Sequence, residues 1–381
     1  MASKLSNIIL FGRGVKKFHG NDEIHELRLK FETQKRNSFS YLQTHTHIKN
    51  EESLSRLLPR QCCCVSTRSD YAMKEVSRTT LIWRAVKFPM YSVALVPLSV
   101  GAGAAYLQNG VFFSHRFFII MASSVLIIAW LNLSNDVYDF DTGADKNKEE
   151  SVVNLFGSRL GTFLAACLSL VIGFSGLIWM STTVRNLRAI LLLSCAIACG
   201  FVYQCPPFRL SYKGLGEPLC FAAFGPFATT AFYLLLGSSR DMPNLPVRST
   251  VVISSLAVGI TTTLILFCSH FHQVEGDREV GKFSPLVRLG TEKASKVVRV
   301  FTMALYSLLF VSYLSKALPF TCIIFCGLTF PMARLVTNYV KDNHSNKDKI
   351  FMAKYYCVRL HTLFGVALAA GLACSRHIKV L

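Results

Sequence analysis

The chain has 381 residues, 51% of them hydrophobic and only 17% charged, against roughly 25% charged in a soluble domain. The apolar residues are gathered into long runs, which excludes a water-soluble globular fold. A formal net charge of +19 would suit a nucleic-acid binder, but the basic residues lie in the N-terminal segment and between apolar runs. No helix-turn-helix, RNA-binding or zinc-finger pattern accompanies them, so nucleic acid is excluded as a partner.

Residues 1–80 lack a long apolar run and are rich in Lys, Arg, Ser and His. No apolar core follows the basic start, which argues against a secretory signal. The composition fits a transit peptide of plastid or mitochondrial type, although Asp22, Glu23, Glu26, Glu51 and Glu52 are more acids than that class usually carries. Of the 13 cysteines, Cys62, Cys63 and Cys64 are consecutive and nearly all the others stand singly in apolar runs. With no C-x-x-C pair, neither structural zinc nor a disulfide framework is expected.

From residue 81 the sequence predicts an all-α membrane protein with one transmembrane domain reaching to residue 381. Nine apolar stretches approach the roughly 20 residues that cross a bilayer as a helix. They run over about 86–107, 116–135, 160–180, 187–206, 217–237, 250–270, 297–315, 317–338 and 357–375.

The second stretch ends in NLSNDVYDFDTGAD, Asn132 to Asp145. On a continuing helix Asn132, Asp136 and Asp139 stand at i, i+4 and i+7, with Asn135 one position away, and share a face. Carboxylates that close repel one another unless a cation sits among them. An all-oxygen set favours Mg²⁺, which is usually held by one or two carboxylates plus substrate phosphates. Asp136, Asp139 and Asp145 are the candidate ligands here, and Asn132 and Asn135 the candidate substrate contacts.

The fourth stretch is stopped by Pro206 and Pro207, which lack the donor needed to continue a helix. Beyond it, in YQCPPFRLSYKGLGE, Arg209 and Lys213 are placed to reach a diphosphate, while Tyr203 and Tyr212 are candidates to line an acceptor pocket. The sixth stretch ends in SHFHQVEGDREVGK, Ser269 to Lys282, where Glu275 and Asp277 are further candidate ligands. Arg278 and Lys282 suit the phosphate oxygens that remain. His270 and His272 lie beside this cluster, and an imidazole is suited to deprotonating an acceptor hydroxyl.

The second and sixth stretches have the same parity, so both acidic ends emerge on one side of the membrane. Most loop lysines and arginines fall on that side too, which makes it the cytosol or the equivalent stroma or matrix. An ion-coupled transporter also keeps acids near broken helices. Its charges, however, sit near the bilayer midplane, whereas these gather at one face beside basic residues.

Together the three segments resemble the UbiA superfamily of intramembrane prenyltransferases, over nearly the whole chain from Trp83 onward. Asn132, Asp136 and Asp139 match its N-x-x-x-D-x-x-D pattern. DREVGKFSPLVRLGTEKA (Asp277 to Ala294) and PPFRLSYKGLGE (Pro206 to Glu217) are similar to the branch that prenylates naphthoquinone precursors. SHFHQVEGDREVGKFSPLVRLG is similar to the cyanobacterial and plastid members of that branch, which serve phylloquinone synthesis. One departure is Gln273, at a place where the superfamily's second motif usually has Asp; its neutral amide is suited to holding a metal-bound water.

The resemblance implies Mg²⁺-dependent transfer of a phytyl group from phytyl diphosphate to 1,4-dihydroxy-2-naphthoate or 2-carboxy-1,4-naphthoquinone. Diphosphate and carbon dioxide leave, the C20 tail lies in an apolar groove open to the lipid bilayer, and the setting is a chloroplast membrane, inner envelope or thylakoid. Asp136, Asp139, Asp277 and Lys282 are the residues this reading makes catalytic, with His270, Gln273 and Arg278 among the substrate contacts. Homogentisate, a chlorophyllide and 4-hydroxybenzoate are alternative acceptors, because fold alone does not select one.

Overall fold

The computed structural model describes residues 85, 87–144, 151–239 and 245–380. The transit-peptide expectation and the candidate ligand Asp145 lie outside the described residues. After a 3-10 turn at Phe88–Tyr91 come α1 (Ser92–Asn109), α2 (Ser114–Thr142), α3 (Arg159–Val184) and α4 (Leu187–Gln204). The fifth stretch comprises α5 (Gly216–Ala222), a π-helical segment Ala223–Thr229 and α6 (Thr230–Gly237). Then follow α7 (Ser249–Ser269), the short α8 (Val274–Glu279), α9 (Thr291–Leu314), α10 (Phe320–Gly327), α11 (Phe330–Asn343) and α12 (Ala353–Val380).

Among the described residues, eight helices are long and apolar enough to cross a membrane, or nine if the pair α10 and α11 is one span. That pair corrects the expectation of a continuous helix over 317–338, since its two halves are bent by 45°. The break has a local cause: Pro331, in the first turn of α11, has no N–H to bond back into α10. The fifth stretch departs from a plain helix for a related reason. Pro226 lies inside its π segment, and a locally widened turn accommodates the missing donor and the crowding ring.

Helix α2 runs past its expected end at 135 to Thr142, where Gly143 caps it with φ 77 in the left-handed region, as helix C-termini favour. The whole first polar motif is therefore helical as far as Thr142. In lipid the apolar effect does not drive helices together, so close packing through small residues carries more of the association. A Cβ on Gly103 of α1 would stand 2.7 Å from the Ala369 carbonyl of α12. One on Gly225 would stand 2.7 Å from the Ser255 carbonyl and 2.9 Å from Gly259, both on α7. Leu98, Leu235, Leu305, Phe364 and Leu368 fill the centre of this packing. On α3, Leu160, Leu164, Leu168 and Val171 remain exposed, the surface a lipid-facing helix presents.

Candidate active site

A cavity of about 360 Å³ opens where the ends of α2, α4 and α7 and the start of α12 meet. Its polar end carries Lys87, Asn132, Asn135, Asp139, His270, Gln273, Lys282 and Lys354. Its deeper wall is apolar, with Trp130, Ile127, Leu193, Ile197, Ala228 and Phe232. Sites of this kind, mostly apolar with a few convergent polar groups, are where small molecules bind.

The first motif divides its two central acids between different tasks. Asp136 is fully buried, taking an ion pair from Lys87 Nζ at 2.7 Å on one oxygen and the Val152 N–H at 3.1 Å on the other. Asp139 lines the cavity, where the Asn135 amide donates to it at 2.7 Å and the Tyr212 hydroxyl at 3.3 Å. The Tyr212 hydroxyl also lies 2.9 Å from Thr142 Oγ1. Burial, and next to it the Asp139 carboxylate, pushes the Tyr212 phenol up to about 12, so it remains a proton donor at neutral pH. Asp141 is drawn outward by a two-point contact with Arg159, at 2.6 and 2.7 Å.

In the second motif Asp277 is buried, with one oxygen 3.4 Å from Lys282 Nζ and the other buried without a hydrogen-bond partner. Lys282 is itself 8% exposed, lines the cavity and lies 5.8 Å from the centre of the Tyr212 ring. The segment between α4 and α5 ties the two motifs together: the Tyr212 carbonyl accepts from the Phe283 N–H at 2.9 Å, and the Lys213 carbonyl accepts from Arg288 at 2.8 Å. Tyr203 lies within electrostatic range of Glu217, Asp139 and Asp277.

Of the predicted site residues, Asn132, Asn135, Asp139, Tyr203, His270, Gln273 and Lys282 line the cavity together. Asp136 and Asp277 are paired with Lys87 and Lys282, two of the three lysines that line it. Tyr212 reaches it through Asp139, while Arg209 has a buried Nε without a partner. Lys213 and Arg278 are exposed and do not line it. Glu275 also points away, 76% exposed and 3.5 Å from Lys347. Among the described residues no three His, Cys, Asp or Glu side chains converge as a ready-made metal cage. Of the proposed oxygen donors, Asn132, Asn135, Asp139 and Gln273 line the cavity.

Lys87, Glu217 and Lys354 belong to the site without having been singled out from the sequence. Parity offered a signal for the two lysines, because the starts of the first and ninth spans lie on the side where the acidic ends emerge. Glu217 had no comparable signal: it is 7% exposed and its role depends on His270, whose Nδ1 is 3.1 Å from Glu217 Oε1.

The UbiA prenyltransferase family model matches residues 94–358. The chain is 65% identical over 306 residues, 80% of each chain, to the chloroplastic 2-carboxy-1,4-naphthoquinone phytyltransferase of Arabidopsis thaliana. It is 40% identical over 304 residues, 80% of this chain and 96% of the other, to the 2-carboxy-1,4-naphthoquinone phytyltransferase of Synechocystis sp.. Among solved structures, the apo UbiA homolog from Aeropyrum pernix K1 aligns with a TM-score of 0.57 at 14% identity, over 78% of this chain and 99% of that one. The UbiA homolog from Archaeoglobus fulgidus bound to DMAPP and Mg²⁺ aligns with a TM-score of 0.53 at 17% identity, over 77% of this chain and 99% of that one. At these identities the structural likeness is one of fold.

Proposed function

This chain belongs to the UbiA prenyltransferase family, and we propose that it joins the phytyl group of phytyl diphosphate to 2-carboxy-1,4-naphthoquinone in its reduced form, 1,4-dihydroxy-2-naphthoate. It is a multi-pass membrane prenyltransferase of phylloquinone biosynthesis. The observation that carries the acceptor is the 65% identity to the Arabidopsis thaliana phytyltransferase, over 80% of both chains. The cavity supports it, since one polar end leads into one apolar groove, as an amphiphilic donor needs.

The donor set fits Mg²⁺. Asp139 and Asp277 supply carboxylates, Asn132, Asn135 and Gln273 supply amide oxygens, and the partnerless buried oxygen of Asp277 is the kind of group a cation satisfies. Bound there, Mg²⁺ supplies positive charge against the diphosphate as the allylic C–O bond breaks. With Mg²⁺ bound, Asp136 would serve as a ligand only on releasing Lys87, whose ammonium at the cavity wall would then face phosphate oxygen. Lys282, also on the cavity wall, would bind the same group. Tyr203, on the cavity wall, is an aromatic group that would steady the developing positive charge of the prenyl carbon. Trp130, Leu193 and Phe232 hold the chain and keep water away from that carbon.

Residues 1–80 form a plastid transit peptide by this reading, and the enzyme resides in the inner envelope or thylakoid. The test is product formation by membranes containing the chain, given phytyl diphosphate, Mg²⁺ and 1,4-dihydroxy-2-naphthoate, with homogentisate in parallel. Prenylated, decarboxylated product from the naphthoate, lost in excess chelator and restored by Mg²⁺, is the expected result. Product from homogentisate alone would overturn the acceptor, and full activity in chelator would overturn the metal.

A further inference from the structure

Two histidines flank the second motif, and the structure separates them. His272 does not line the cavity and packs edge-on against Phe351, itself on the cavity wall, with ring centres 4.9 Å apart. His270 lines the cavity, is 3% exposed and places Nδ1 3.1 Å from Glu217 Oε1. Glu217 is equally enclosed, and its second oxygen has no hydrogen-bond partner, so His270 is the group its carboxylate holds. An ionised carboxylate only accepts hydrogen bonds, which puts the proton of neutral His270 on Nδ1 and leaves the lone pair on Nε2. Tyr203, Cys220, Asp277 and Lys282 are other titratable groups around this pair.

We propose that His270 is the general base for the acceptor's ring hydroxyl and that Glu217 is its positioning residue, fixing the tautomer and the direction of Nε2. The assignment rests on the prenyl-transfer reading above and deepens it. His270 Nε2 takes the hydroxyl proton, and the oxygen's electron pair moves into the ring. The carboxyl-bearing ring carbon bonds to the prenyl carbon as the C–O bond breaks, the electron pair of that C–O bond leaving with diphosphate. The acceptor carboxylate then departs as carbon dioxide and returns its C–C electron pair to the ring. The proton passes back from imidazolium to the ring oxygen, so charge balances and the product is a quinol.

The pair is arranged like other carboxylate-oriented imidazoles, in which replacing the carboxylate by an amide leaves the geometry but favours the wrong tautomer. The test uses the full chain reconstituted in liposomes with phytyl diphosphate, Mg²⁺ and the naphthoate. His270→Ala is expected to lower kcat by about 10²-fold or more, with KM for phytyl diphosphate changed less than about twofold and activity partly restored by added imidazole. Glu217→Gln is expected to lower kcat by about tenfold to a hundredfold, and Glu217→Asp to recover much of it. The double variant His270→Ala/Glu217→Gln should be no slower than His270→Ala alone, and His272→Phe should retain the parent rate.

Losses that multiply in the double variant would overturn Glu217 as a positioning residue. Near-parental kcat in His270→Ala, no response to imidazole, or loss of phytyl diphosphate binding would each overturn His270 as the base. Wild-type activity on homogentisate and none on the naphthoate would overturn the acceptor instead. The same variants would then be scored on homogentisate, which also carries ring hydroxyls.

Discussion

Asp136 and Asp139 lie three residues apart on α2, yet their surroundings give the same substitution different consequences. Asp136 is fully buried against Lys87, and removing one member of a buried ion pair leaves the other uncompensated. Because Lys87 keeps about a fifth of its side-chain exposure, Asp136→Asn is expected to cost about 2–3 kcal/mol, below the usual 3–5. Asp139 faces the cavity, so Asp139→Asn should leave the detergent melting temperature nearly unchanged and cut turnover by about 10³-fold. Thermal unfolding alongside product formation checks the contrast, and a reversed order would remove the division of roles.

Tyr212 carries a pH signature. Its folded-state value is raised to about 12 by burial and by Asp139, so the folded protein keeps a proton that the unfolded chain releases near 10. Stability from this group is present below about pH 10 and is lost as pH rises through about 12. Tyr212→Phe should therefore show a shallower fall in stability between those values than the parent. Alkaline unfolding of both proteins measures it, and identical slopes would contradict the linkage.

At the scale of elements, the interrupted helices are what shape the site. The π segment at Ala223–Thr229 delivers Phe224 and Ala228 to the cavity wall, and Gly225 within it lets the segment lie directly on Ser255 and Gly259 of α7. A Cβ at Gly259 would stand 2.8 Å from the Phe221 ring and 3.0 Å from its carbonyl. Gly259→Val is thus expected to force the two spans apart and destabilise the protein by about 1–3 kcal/mol. A thermal shift within experimental error of the parent would show that the contact relaxes without cost.

For the whole molecule, the apolar groove proposed for the prenyl tail has walls drawn from α1, α2, α3, α4, the fifth span and α7. Ala228 is 8% exposed on that wall, between Phe224 and Phe232. Ala228→Phe should narrow the groove and shift kcat/KM from the C20 diphosphate toward a C10 one by about tenfold, as a few lost contacts in an apolar pocket are worth. Competition between the two donors reads the ratio directly, and an unchanged ratio would place the tail elsewhere.

Much of this was legible in the sequence, because hydropathy over some 20 residues and spacing along one helix are local properties. They located the spans, placed Asn132, Asn135 and Asp139 on α2, and pointed to the ends of the second and sixth stretches as halves of one site. The bend between α10 and α11 and the π turn at Pro226 were blurred because apolar composition does not reveal a broken backbone ladder. Long-range pairings lay beyond local reading: Lys87 with Asp136 is 49 residues apart, and His270 with Glu217 is 53. The same holds for Glu275 and Arg278, whose spacing resembles that of Asp277 but whose side chains face solvent. By itself the sequence determined a helical membrane protein with two acidic motifs on one side, since those depend on composition and period. Only the tertiary structure decided which acids face the cavity and which histidine has a carboxylate behind it, because those depend on how separate helices pack.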